Sequence, residues 1–254
     1  MDKMFLRNIG LLTETEQERL AALCVGIAGC GMGSQVAVTL ARLGVGILVL
    51  VDGDTVEAHN LNRQAYLTGA VGRNKAQALA EIIIGINDRA DAEAWECFII
   101  PETAGVFVGA VDIVVDCIDP SPSGLRASLA ISEACQKEGK LYLYPLPIGW
   151  GGRLYIFSPT GIGLGEFLGI TQRELERAEG FPFATLGRAF APVPSYMVEV
   201  FRAMASGELK HYPQAITSTF STAVLVAVAI VRFLREKTLK EVPDYYTLDP
   251  MEAA

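Results

Sequence analysis

Chemistry-bearing residues concentrate in DGDTVEAHNLNRQ, residues 52–64, where acids, asparagines and an arginine directly follow the apolar run 45–51. Upstream, Gly29, Gly31, Gly33 and Ser34 form a glycine-rich turn at the end of an earlier apolar run. Together they describe a βαβ unit. The glycines permit a tight turn and close backbone approach, and the following helix presents free N–H groups to a phosphate. Asp52 closes the second strand about 20 residues after Gly33, the spacing at which a carboxylate meets ribose hydroxyls. Asp54 is either a second acid or a turn former. The turn reads G-x-G-x-G-S, one residue short of the usual dinucleotide pattern.

Two cations and a third acid extend this set. Arg63 lies in the polar loop, and Lys75 opens a helix after Gly72, Arg73 and Asn74. A diphosphate held by backbone amides needs neither cation. A triphosphate carries about two more negative charges, and its cleavage builds charge on the departing pyrophosphate, which placed cations stabilise. Asp119 ends the apolar run DIVVDCID and is expected at the carboxyl edge of the sheet. Ligands of open α/β sheets bind at that edge, and a carboxylate there can hold Mg²⁺. A cap for the loop 120–124 is the structural alternative for Asp119.

The elements that must position these groups alternate. Helices are expected over 13–23, 35–44, 74–87 and 124–139, and strands over 24–29, 46–52, 96–100, 111–119, 141–146 and 152–157. Thr13 or Thr15 caps the first helix, and glycines 44 and 139 end the second and the last. This alternation predicts an α/β fold: a Rossmann-like, doubly wound and mostly parallel sheet with helices on both faces. Residues 158–215 differ, being rich in Gly, Pro and Phe with two short helical patterns at 171–180 and 195–207. They read as an excursion over the active face, followed by a late helix and tail over 216–254.

Half of the 254 residues are hydrophobic (51%), and the mean hydropathy of +0.33 suits strands buried on both faces. The net charge of -8 argues against nucleic acid or anionic membrane as a general partner. The longest wholly apolar run, residues 223–231, is short of the roughly 20 residues that span a bilayer. The N-terminal MDKMFLRNIG lacks an apolar signal core, so a cytoplasmic location is expected. Cysteines 24, 30, 97, 117 and 135 have no metal-ligand spacing, lie mostly within apolar runs and are expected as reduced thiols. With two histidines besides, no zinc is expected.

These motifs resemble the ThiF/MoeB/HesA group, the bacterial relatives of ubiquitin-activating enzymes. The resemblance rests on Arg7 in FLRNI, the glycine turn, DGDTVEAHNLNRQ, GRNKAQAL, VVDCID with Arg126 beyond it, and GGRLYIF. It covers roughly residues 5–157, with a looser likeness over the late helix 217–234. It implies one adenylation domain over 1–254, with the ATP site in 1–157 and a crossover region in 158–215. It also implies an ATP- and Mg²⁺-dependent adenylyltransferase. Its partner would be a ubiquitin-like or sulfur-carrier protein ending in Gly-Gly, and it would act as a homodimer. By position, Asp52 would bind ribose, Asn60, Arg63 and Lys75 the phosphates, and Asp119 the magnesium. Arg7 would reach the triphosphate across the dimer interface.

The chain departs from the group in three ways: the shortened glycine turn, the missing Cys-x-x-Cys pairs, and no cysteine after Cys135. Adenylation is therefore expected without a covalent sulfur relay, and Cys30 is the thiol expected nearest the nucleotide. Other readings are activation of a tRNA-borne or small-molecule carboxylate, an inactive nucleotide-binding partner, or an NAD-dependent oxidoreductase. The last gives Arg63, Lys75 and Asp119 no role.

Overall fold

Apolar runs too short to bury themselves assemble into one seven-stranded sheet in a computed structural model describing residues 3–177, 187 and 189–252. The strands are β1 (Cys24–Ala28), β2 (Ile47–Val51), β3 (Asp91–Trp95), β4 (Ile113–Asp116), β5 (Leu141–Ile148), β6 (Gly151–Phe157) and β7 (Tyr246–Leu248). Their spatial order is β3-β2-β1-β4-β5-β6-β7. Neighbours are parallel from β3 through β5, while β6 and β7 run antiparallel. The expected doubly wound fold is thus observed.

The helices are α1 (Glu14–Ala22), α2 (Gly33–Leu43), α3 (Lys75–Ile86), α4 (Pro101–Gly109), α5 (Pro122–Glu138), α6 (Leu164–Leu168), α7 (Gln172–Leu175), α8 (Met197–Ala205) and α9 (Ile216–Leu234). Side chains alternate across the pleat. Ile27, Leu48, Leu50 and Val115 point into a core shared with α2, α3 and α9, whereas Val49, Val51, Val114 and Tyr142 meet α4 and α5. Local signals set the helix ends. Thr13 and Glu16 form a reciprocal capping box on α1, Ser121 caps α5, and Gly44 (φ 104°) and Gly139 (φ 69°) end α2 and α5 in the left-handed conformation.

Four features differ from the sequence expectations. Residues 96–100 are not a strand; the sheet edge is DAEAW, with Ile47 paired to Asp91 and Val51 to Trp95. An edge strand can remain half-polar, so its alternation outweighed the stronger apolar run beside it. Ile99 instead packs under α4, a helix not foreseen although Pro101 at its first turn and Glu102 beside it are start signals. The short edge strand β7 was also unforeseen. β4 stops at Asp116, leaving Asp119 in the loop beyond rather than on the strand. The late helix read over 217–234 is α9, whose 19 residues, with mean hydropathy 1.8, are long and apolar enough by length and composition to cross a membrane. Here it packs on α2, β5 and β6.

Asp116 is a buried group that the sequence did not flag. Its carboxylate accepts from the Tyr142 hydroxyl (2.7 Å) and the Ile118 amide (3.0 Å), and burial pushes its pKa up to about 6. Between about pH 4 and 6 the folded chain keeps a proton that the unfolded chain has lost. This group's contribution to stability therefore declines as pH rises through that window.

Candidate nucleotide site

Strand order reverses between β1 and β4, and the loops after β1, β2 and β4 open there into a cleft of about 700 Å³. Such a switch point is where open α/β sheets receive ligands. Gly29, Gly31, Asp52, Asp54, Asn60, Arg63, Lys75 and Asp119, scattered along the sequence, all line it.

The glycine turn is shaped by close backbone approach. Gly29 has φ +84°, and a Cβ there would lie 2.7 Å from the Cys117 carbonyl oxygen. Gly33 serves packing: its Cβ would sit 2.7 Å from the Ile27 side chain, beneath the cleft rather than on its wall. α2 starts there with no side-chain cap. Asp52 ties the turn to the β2 loop, accepting from the Cys30 amide at 2.7 Å through one oxygen and the Asp54 amide at 2.8 Å through the other. Burial raises its pKa, against those amides and the Lys75 charge. The Tyr66 hydroxyl, not anticipated, lies 2.8 Å from the Cys30 carbonyl and 3.1 Å from that of Lys75, bolting the turn to α3.

The two cations are anchored by different elements. Asn74 caps α3, accepting from the Gln77 amide, so Lys75 occupies the first helical position. Its buried side chain places Nζ 3.1 Å from Asp54 Oδ2. Arg63 is pinned by its backbone, whose carbonyl accepts from Gln35 Nε2 of α2 (3.2 Å) and Thr219 Oγ1 of α9 (3.1 Å). Its guanidinium donates to Gln214 Oε1 (2.5 Å), the His59 carbonyl (3.1 Å) and Asn62 Oδ1 (2.9 Å). Burial lowers the Arg63 pKa, and Asp119 pulls it back up. Asp119 reaches solvent but sits within the concave cleft. Desolvation raises its pKa while Lys75 and Arg63 oppose that rise. Asn60 is buried, its side-chain oxygen accepting from the Glu57 amide at 3.0 Å.

The sequence profile of the ThiF family matches residues 5–253. The chain belongs to the ThiF family. The ThiF match extends past the resemblance read from motifs and takes in the crossover region and α9. Among curated relatives, adenylyltransferase and sulfurtransferase uba4 of Pyricularia oryzae is 29% identical over 219 residues, 76% of this chain and 44% of that protein. Ubiquitin-like modifier-activating enzyme 5 of Caenorhabditis elegans is 30% identical over 151 residues, 55% of this chain and 35% of that protein. The chain therefore spans less than half the length of these relatives. Its fold matches the E. coli tRNA N6-threonylcarbamoyladenosine dehydratase TcdA solved with ATP, at TM-score 0.66 and 21% identity over 92% of this chain and 94% of that one.

Within this ThiF fold, Gly33 and Arg7 are the candidates that do not line the cleft: Gly33 lies beneath it, and Arg7 is exposed on the 3-10 helix Lys3–Asn8. A smaller chamber of about 320 Å³ adjoins the cleft between Arg63 and Asp119 and is walled by Pro145, Pro147, Phe190 and Tyr212. These residues come from β5 and the crossover region, so chain order offered no signal for them. Residues 178–186 and 188 of that region lie outside the described residues. The thiols differ in exposure. Cys30, Cys117 and Cys135 are buried with pKa values pushed up by desolvation, but Cys97 is exposed on the cleft wall. Its placement follows from residues 96–100 leaving the sheet.

Proposed function

We propose that this chain is an ATP-dependent adenylyltransferase that joins a substrate carboxylate to AMP. A carboxylate oxygen forms a bond to the α-phosphorus of ATP, the bond to the bridging oxygen breaks, and pyrophosphate departs with its electron pair. The observation that carries this reading is the meeting of Lys75, Arg63 and Asp119 in one cleft with the glycine turn. A diphosphate dinucleotide leaves those three groups without work. In this reading Gly29 and Gly31 let the phosphates approach the backbone, with Gly33 closing α2 onto β1. Asp52 and Asp54 face the ribose side, and Asn60, Arg63 and Lys75 hold the phosphates. Positioning and fixed charge supply the catalysis, with no protein nucleophile.

Magnesium fits the residues present. Asp119 offers an open carboxylate beside the phosphate-binding cations, and Mg²⁺ needs only one or two carboxylates when phosphates and water complete its shell. When bound, it would neutralise charge on the phosphate oxygens. The adjoining chamber would receive the carboxylate, most simply the Gly-Gly end of a ubiquitin-like or sulfur-carrier protein. The net charge of -8 favours such a protein over a tRNA-borne carboxylate. The whole chain would work as one domain in the cytoplasm, with 158–215 forming the substrate side. Titration calorimetry tests the nucleotide: MgATP should bind more tightly than NAD, and the reverse order would sink the proposal.

The active form would be a homodimer in which Arg7 serves the partner's triphosphate. Its exposed position outside its own cleft supports this, as does an exposed stripe of Ile216, Phe220, Val224 and Val228 along one face of α9. Light scattering at micromolar concentration should show a dimer that Phe220→Glu with Val224→Glu converts to monomer. A wild-type monomer, or undiminished activity in Arg7→Ala, would remove the dimer from the proposal.

A further inference from the structure

Gln214 stands where the crossover region ends, just before α9, and lines both the nucleotide cleft and the smaller chamber. It grips the Arg63 loop at two points. Its side-chain oxygen accepts from Arg63 Nε at 2.5 Å, and its backbone carbonyl accepts from Asn62 Nδ2 at 3.1 Å. A neutral amide suits this place. It accepts from the guanidinium without neutralising it, so the full positive charge of Arg63 is still presented to a ligand, whereas a carboxylate at the same point would claim that charge. The backbone of Arg63 is anchored to α2 and α9, but the other hydrogen bonds of its guanidinium go to its own loop, His59 and Asn62, so Gln214 is the partner outside that loop which orients the charged end. Nearby, Tyr212 donates to the Pro147 carbonyl at 3.0 Å, anchoring the segment that carries Gln214 to β5.

We infer that Gln214 is a positioning residue for Arg63, holding the guanidinium at the mouth between the two cavities so that it meets the outer phosphates of ATP. This rests on the adenylyltransferase reading and adds to it a residue from the crossover side that no motif marks.

Calorimetry with MgATP and with AMP separates a positioning role from a structural one. AMP lacks the outer phosphates, so Arg63 matters little to it. Gln214→Ala should weaken MgATP binding about tenfold, the order of one hydrogen bond to a charged group, and leave AMP binding unchanged. Gln214→Glu, nearly isosteric, should weaken MgATP at least as much by pairing with Arg63, again sparing AMP. On an Arg63→Ala background, Gln214→Ala should have no further effect. Gln214 is half-exposed, so both variants should keep the wild-type melting temperature. Unchanged MgATP affinity in both variants would overturn the inference, as would equal losses for ATP and AMP. If the wild-type chain itself failed to bind MgATP, the adenylyltransferase reading would fall first, a result distinct from either of those.

Discussion

Arg63→Ala and Lys75→Ala are each expected to slow ATP–pyrophosphate exchange, measured with the carboxylate substrate present, by about 100- to 1,000-fold. That is the usual cost of removing one donor aimed at developing charge, about 2.7–4 kcal/mol in the barrier. Both side chains are placed to act on a ligand more than to hold the fold. The Arg63 loop remains anchored through its backbone carbonyl to Gln35 and Thr219 whatever its side chain. Lys75 is buried, but its ion-pair partner Asp54 is largely exposed and would be solvated when the lysine is lost. Melting temperatures should therefore shift little while exchange collapses. Near-normal exchange in both variants would take these cations out of the chemistry.

Arg153→Ala should produce the largest loss of stability. Arg153 sits on β6, almost fully buried, and its hydrogen-bond partners among the described residues are carbonyls and the Tyr155 hydroxyl rather than a carboxylate. It donates to the carbonyls of Ala189 (2.9 Å), Ala191 (2.7 Å) and Pro192 (2.8 Å), and its guanidinium lies 4.2 Å from the Tyr245 ring centre. The planar fork thus straps the end of the crossover region to the sheet, beside Phe190 in the wall of the smaller chamber. Truncation leaves the Ala191 and Pro192 carbonyls without this donor, while Ala189 keeps the Tyr155 hydroxyl at 2.9 Å. Ala191 and Pro192 are themselves exposed, so water can take over their carbonyls. The loss comes from the buried guanidinium's packing on Tyr245 and from its charge-assisted hydrogen bonds, about 1.5–3 kcal/mol each, and should be about 3 kcal/mol. Thermal unfolding should then start roughly 6–12 °C lower. Arg153→Lys should fall between, because a single ammonium cannot span the same carbonyls. A melting temperature within about 2 °C of wild type for the alanine variant would show that the strap holds by other means.

Several parts of this protein were legible in the chain alone because the physics that sets them is short-range. A glycine at position 29 is required by a left-handed backbone and by contact with the Cys117 carbonyl. Capping residues and the closing glycines 44 and 139 act within one helical turn, and the buried runs of β1, β2 and β4 carry their burial in their composition. The doubly wound sheet and the membership of its cleft followed from these. Other features depended on neighbours far away in sequence. The polar segment 91–95 is a strand only because β2 offers it a partner, and the more apolar 96–100 is not one because that edge is already taken. The elevated pKa of Asp116 comes from complete burial in the folded sheet, which outweighs the hydrogen bonds from Tyr142 and Ser128 that lower it. Arg63 and Gln214 come together because α9 folds back against α2, and no periodicity or turn chemistry specifies a contact between residues 151 apart in the chain. Sequence alone determined which groups could do the chemistry; their distances from one another were set by strand order and helix packing.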